Sequence, residues 1–98
     1  MKTNSYIPID QLCIHYDIEM TFFTELNTIG LLEIISIEQV PSIPEEQLSD
    51  LEKMIRLHRE MNVNYEGIDV ILHLLSKIEL LQKELTDSKN RLLRFEND

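Results

Sequence analysis

The residues with a capacity for chemistry are few and scattered. Cys13 and His15 stand two apart, while His58 and His73 stand alone. Side chains two apart on a helix diverge, so Cys13 and His15 do not converge on one point. A zinc site asks for about four ligands, and no further ligand types lie close to this pair. Cysteine catalysis asks for a base and an orienting group supplied by the fold, and nothing in the spacing selects among His15, His58 and His73. Cys13 therefore reads as a small core residue, and His58 and His73 as packed or half-exposed side chains beside apolar stripes. The chain has 2 glycines, Gly30 and Gly67, which excludes a glycine-rich phosphate loop. With 18 acidic residues, paired carboxylates arise by chance. The expectation is a protein that is not an enzyme, with no catalytic residues, no cofactor and no metal.

What remains is charge, and it is unevenly placed. The 98 residues make one small domain, and 43% apolar content is too high for a disordered chain. The net charge is −9. No lysine or arginine occurs from Thr3 to Glu52. Residues 1–60 carry Lys2, Lys53, Arg56 and Arg59 against 11 acids, a balance of −7; residues 61–98 carry 5 basic and 7 acidic residues, a balance of −2. A balance of this sign argues against nucleic acid and against anionic membrane surfaces. It suits a module that docks a basic protein, because complementary fields steer encounter and reject wrong partners. Asp17, Glu19, Glu25 and Glu33 are the candidate partner-binding residues. The alternative is a solvated face without a partner. No run of about 18 apolar residues occurs, which predicts no membrane span. The N-terminus lacks a basic segment followed by an apolar stretch, so no secretory signal is expected. A single cysteine fits a reducing cytoplasm.

The elements that must position these acids begin with residues 9–32. Ile9, Leu12, Cys13 and Tyr16 recur at helical spacing, and so do Phe22, Phe23, Leu26 and Ile29. Gly30 sits where a helix end needs a left-handed residue, with Leu31 as its apolar follower. Two short amphipathic helices joined by a tight turn predict a helix-turn-helix. Leu31 to Glu38 is β-branched and partly alternating, which predicts a strand. Gln39 to Pro44 holds two prolines, cannot be helical, and returns as a second strand, so that the hairpin forms a wing. Tyr6 and Ile7 make an edge strand or a packing anchor. A third helix starts near Pro44, with Ser42 and Glu45 spaced as a capping box and a stripe from Leu48 to Met61. The organisation expected is a winged helix-turn-helix over 1–62, and a long C-terminal helix over 63–98 for packing and dimerisation.

That last helix spans about Tyr65 to Phe95, with Asn64 as its N-cap. Ile71, Ile78, Leu85 and Leu92 fall seven apart, with Ile68 and Leu75 as early partners, which is a heptad seam. Gln82 and Lys89 weaken it later, and Thr86-Asp87-Ser88 is a weak helical segment where a break or fraying is expected. Ile71, Leu75, Ile78 and Leu85 are the candidate dimer seam. Pairing with a second copy is the simplest use of it, and packing back on its own domain is the alternative.

Helix-turn-helix, wing, helix and seam helix, in that order, resemble the MerR-like winged-helix plan. Leu12-Cys13-x-His15-Tyr16-x-Ile18, Gly30-Leu31-Leu32, Arg56-Leu57 and Met61-Asn62-Val63-Asn64-x-Glu66-Gly67 narrow the resemblance to the chaperone-modulator CbpM family. The likeness covers roughly residues 5–85. The isoleucine-rich wing with its prolines departs from the family pattern, and the tail after Leu85 matches nothing in particular. The resemblance implies a cytoplasmic protein that binds the J-domain of a CbpA/DnaJ-like co-chaperone and blocks its engagement of the chaperone DnaK. J-domains carry a basic helix for that engagement, which the acidic half would complement. A MerR-like DNA-binding transcriptional regulator is the alternative, and it wants arginines on the second helix and wing, where there are none. A subunit of a larger assembly, joined through the last helix, is a third class.

Overall fold

A computed structural model describes residues 5–96 of the chain. Its elements are β1 (Tyr6–Pro8), α1 (Ile9–Tyr16), α2 (Met20–Thr28), β2 (Ile35–Ile37), β3 (Val40–Pro44), a 3₁₀ turn (Glu45–Gln47), α3 (Leu48–Arg59) and α4 (Tyr65–Glu96). The chain divides into two compact units, Met1–Ile68 and Asp69–Asp98. The architecture is mainly α, with a small antiparallel sheet of order β1-β3-β2 and a long C-terminal helix.

The first unit is closed by apolar residues drawn from every element around it. Ile9 and Leu12 of α1, Phe23 and Leu26 of α2, Ile43 of β3 and Leu51 and Met54 of α3 are buried. Ile68, in the first turn of α4, is fully buried with them. In the α3 stripe Leu51, Met54 and Ile55 are buried, Leu48 and Leu57 are half-buried, and Met61 is exposed.

Helix ends are set by local chemistry. Asp17 adopts the left-handed conformation (φ 56°) at the end of α1, and the Ile18 N–H reaches back to the Cys13 carbonyl at 3.0 Å. At the end of α2, Gly30 has φ 83°, its N–H bonds the Asn27 carbonyl, and the Leu31 N–H bonds the Leu26 carbonyl at 2.9 Å. These two bonds make a Schellman cap, which satisfies carbonyls that the helix leaves over.

Where the chain departs from the sequence expectation, other partners have taken its backbone groups. The first hairpin strand is short because the Glu33 and Ile34 N–H groups donate to side chains, Gln47 Oε1 at 3.1 Å and Asn27 Oδ1 at 3.3 Å, rather than to a neighbouring strand. Ser42 is not a cap: it is buried in β3 and its hydroxyl donates to the Val40 carbonyl. Tyr6 and Ile7 do form a strand, opposite Pro44 and Ile43. Each β3 proline lies where that strand has a neighbour on one side alone, Pro41 beside β2 and Pro44 beside β1, so a missing N–H is tolerated. Helix α4 runs through Thr86-Asp87-Ser88 without a break. Those three residues carry modest propensity costs, and with no proline or glycine among them the propagated ladder continues.

Asn64 caps α4 by accepting the Gly67 N–H at 2.8 Å. A Cβ at Gly67 would lie 2.6 Å from Val63 Cγ1 and 3.0 Å from the same Asn64 Oδ1. Alanine normally favours a helix over glycine by about 1 kcal/mol. Here it must displace a β-branched side chain and the cap itself. Gly67→Ala is therefore expected to destabilise the fold by about 1–2 kcal/mol, read from denaturant unfolding. A stabilised variant would mean that Val63 swings aside freely.

Candidate protein-docking face

The acids cluster around the turn between α1 and α2. Asp17 occupies the left-handed end of α1, and Glu19 is the N-cap position of α2. Both are exposed, as is Glu25 one and a half turns further along α2. Thr21, Thr24 and Thr28 share the exposed side, but two of their hydroxyls turn back to the helix: Thr24 donates to the Thr21 carbonyl at 3.0 Å and Thr28 to the Thr24 carbonyl at 2.8 Å. Glu25 is the one charged residue in the α2 sequence. Glu33 lies elsewhere, in the loop before β2, where it lines a separate depression with Asn27, Gly30 and Gln47.

Beside the turn is a depression of about 230 Å³ lined by Asp17, Ile18, Glu19, Thr21, Phe22, His58, Arg59 and Tyr65. Three rings form one wall. His58 stacks on Tyr65 with centroids 5.4 Å apart and planes at 19°, and Phe22 lies 5.0 Å from His58 and 6.1 Å from Tyr65. Burial raises the Tyr65 phenol above its ordinary pKa, and the Glu25 and Glu19 carboxylates raise it further. Both acids therefore act on this ring through space. The Arg59 guanidinium donates to the Asp17 carbonyl and lies 3.9 Å from Asp17 Oδ2. His58 Nδ1 is buried with no hydrogen-bond partner. Phe22, His58 and Tyr65 were not legible as a site from sequence, although an aromatic residue near each of three helix ends was a signal.

The remaining reactive groups are held in structural roles. Burial, followed by the charge of Asp10, pushes the Cys13 thiol up, the opposite of what a nucleophile needs. Cys13 itself is half-buried. Tyr16 donates to Glu52 Oε2 at 2.8 Å and ties α1 to α3. His73 stays on its own helix, with Nδ1 3.0 Å from Asp69 Oδ1.

In the second unit, α4 displays a row of apolar side chains. Leu75, Ile78 and Leu85 are 37%, 49% and 57% exposed, and Ile71 is half-buried. The row is longer than the expected seam. Alternating steps of three and four residues run through Ile71, Leu74, Ile78, Leu81, Leu85, Ser88, Leu92 and Phe95, with one polar position. Pairing the heptad residues with Leu75, Gln82 and Lys89 instead hides this continuity. Among the described residues, no helix is long and apolar enough to cross a membrane.

Comparison with known proteins agrees with this architecture. The family model described as MerR HTH family regulatory protein matches residues 7–90. The chain is 30% identical to the chaperone modulatory protein CbpM of Pseudomonas entomophila, across 97% of both chains. It is 32% identical to the chaperone modulatory protein CbpM of Pseudomonas putida, again across 97% of both. A match over nearly the whole length, on a helical domain with a MerR-type order of elements, means that this chain belongs to the CbpM family of chaperone modulatory proteins.

Proposed function

We propose that this protein is a non-enzymatic chaperone modulator of the cytoplasm. It binds the basic J-domain of a CbpA/DnaJ-like co-chaperone and keeps that J-domain from engaging DnaK. The observation that carries this reading is the acidic face on α1, the following turn and α2, segments that have no lysine or arginine of their own, in a chain of this family. Asp17, Glu19 and Glu25 form the centre of contact, and Glu33 extends it toward the hairpin. Residues 1–62 act as a winged helix-turn-helix in which α2 takes the position of a reading helix and β2–β3 that of the wing. Residues 63–98 pair with a second copy through Ile71, Leu75, Ile78 and Leu85, giving a homodimer with two docking faces.

Inhibition follows from competition. A J-domain whose basic helix lies against this acidic face cannot present that helix to DnaK. Rim charges add little affinity each, so apolar and aromatic groups beside the turn must supply the desolvated part of the contact.

The second reading, a DNA-binding regulator, draws on the regulatory description of the matching family. It requires cations on α2 and the hairpin, and neither has one. Lys53, Arg56 and Arg59 all lie on α3. Calorimetric titration against a purified J-domain at two salt concentrations, with duplex DNA in parallel, separates the readings. Saturable J-domain binding that weakens with salt is expected, with no heat from DNA. The reverse pattern would return the helix-turn-helix to nucleic acid.

A further inference from the structure

We propose that the depression beside the α1–α2 turn is a socket for one lysine side chain of the partner's basic helix. This rests on the J-domain reading and names the point of contact that charge counting leaves open.

Two different surfaces meet in the socket, and a lysine has a part for each. Its wall is the ring stack of His58 and Tyr65, with Phe22 behind. Asp17 and Glu19 are among the residues that line it, and Glu25 acts on the same tyrosine. A lysine stem of four methylenes lies along the rings while its ammonium stays with the carboxylates. An ammonium over a tyrosine face within about 6 Å is attracted by the ring quadrupole as well as by the acids. A volume of about 230 Å³ admits one such side chain.

A further observation points to a cation rather than to an apolar plug. The chain already places a cation of its own at the rim, where Arg59 is held by the carbonyl and carboxylate of Asp17. The Asp17 side chain is otherwise fully open to solvent, so this pair is free to exchange for an incoming ammonium.

Tyr65→Leu and Glu19→Gln are the test variants, each titrated with the J-domain by calorimetry. Tyr65→Leu is expected to raise Kd about tenfold and Glu19→Gln about threefold, while Tyr65→Phe, which keeps the ring face, retains most of the affinity. In a double-mutant cycle, replacing one particular J-domain lysine by methionine should abolish the effect of Tyr65→Leu, a coupling that a merely structural role would not produce. Wild-type binding with unchanged Kd for both variants would overturn the socket and leave the J-domain reading standing. If the wild-type protein does not bind the J-domain at all, that reading falls and a lysine-rich helical peptide becomes the probe. Saturable shifts of the Tyr65 and Phe22 ring protons in NMR spectra, absent with a glutamine-substituted peptide, would still support the socket. Unmoved ring signals would overturn it too.

Discussion

Reversing Glu19 and Glu25 together to lysine is expected to weaken J-domain binding by about 30- to 100-fold and to leave the fold intact. An exposed ion pair contributes about 0.2–1 kcal/mol. Reversal turns attraction into repulsion, so each site changes by about twice that, and two sites reach roughly 2–3 kcal/mol, or the stated range in Kd. The fold is insulated from the change because both side chains are exposed. Glu19 has a hydroxyl contact of 3.4 Å with Thr21 and no buried partner, and Glu25 stands on a helix face whose threonines bond their own backbone. The loss should fall mainly on the association rate and shrink at high salt, where exposed charges more than about 8–10 Å apart are screened. Circular dichroism and thermal unfolding check the fold, and calorimetry gives Kd. Unchanged affinity in a folded double variant would place the interface on another face.

Much of this molecule was open to a reader of its sequence because its signals are local. The spacing of Leu12, Phe22, Phe23 and Leu26 fixes two helices whose apolar sides are buried as the pattern implies. Gly30 and Asn64 are placed where helix ends need a left-handed residue and a capping acceptor, and both serve so. The missed features are those decided between elements. Ser42 has the spacing of a capping residue, yet it belongs to the central strand of the sheet, which pairs with β2 on one side and with β1, distant in sequence, on the other. The stack of His58 on Tyr65 joins the end of α3 to the start of α4, and neither residue carries a periodicity that announces it. Charge, by contrast, is additive along the chain, so the absence of cations from α1 to β3 was readable before any fold was known.

The hairpin turn shows the same division. Glu38 and Gln39 have φ of 51° and 69°, the left-handed pair of a two-residue turn that glycine or asparagine usually fills. Neither residue type predicts it. The register of β2 against β3, with Ile35 opposite Ser42 and Ile37 opposite Val40, leaves two residues to close the loop and imposes the conformation.

Ile78→Asp is expected to convert the protein to monomers at micromolar concentration. Ile78 sits midway along the apolar row of α4 and is 49% exposed. Facing a second copy across a two-fold axis, it would be buried once from each helix, so a single substitution acts twice. Each copy would lose about 1.5–3 kcal/mol of apolar burial and gain a carboxylate in a dry seam, which costs more. A shift of roughly 4–6 kcal/mol raises a dimer Kd by about a thousandfold or more. Leu80→Asp is the matched control: Leu80 is 57% exposed on the same helix but lies off the three-four row, so the same change of chemistry should leave the dimer in place. Sedimentation velocity reads both. Monomers for Ile78→Asp and dimers for Leu80→Asp would place the seam on the face of α4 that carries Ile71, Ile78 and Leu85. Dimers for both variants would move the interface off this row, and a monomeric wild type would leave the row to a different helix altogether. The control separates the two cases because Ile78 and Leu80 differ in their place around the helix while both are aliphatic and about half exposed.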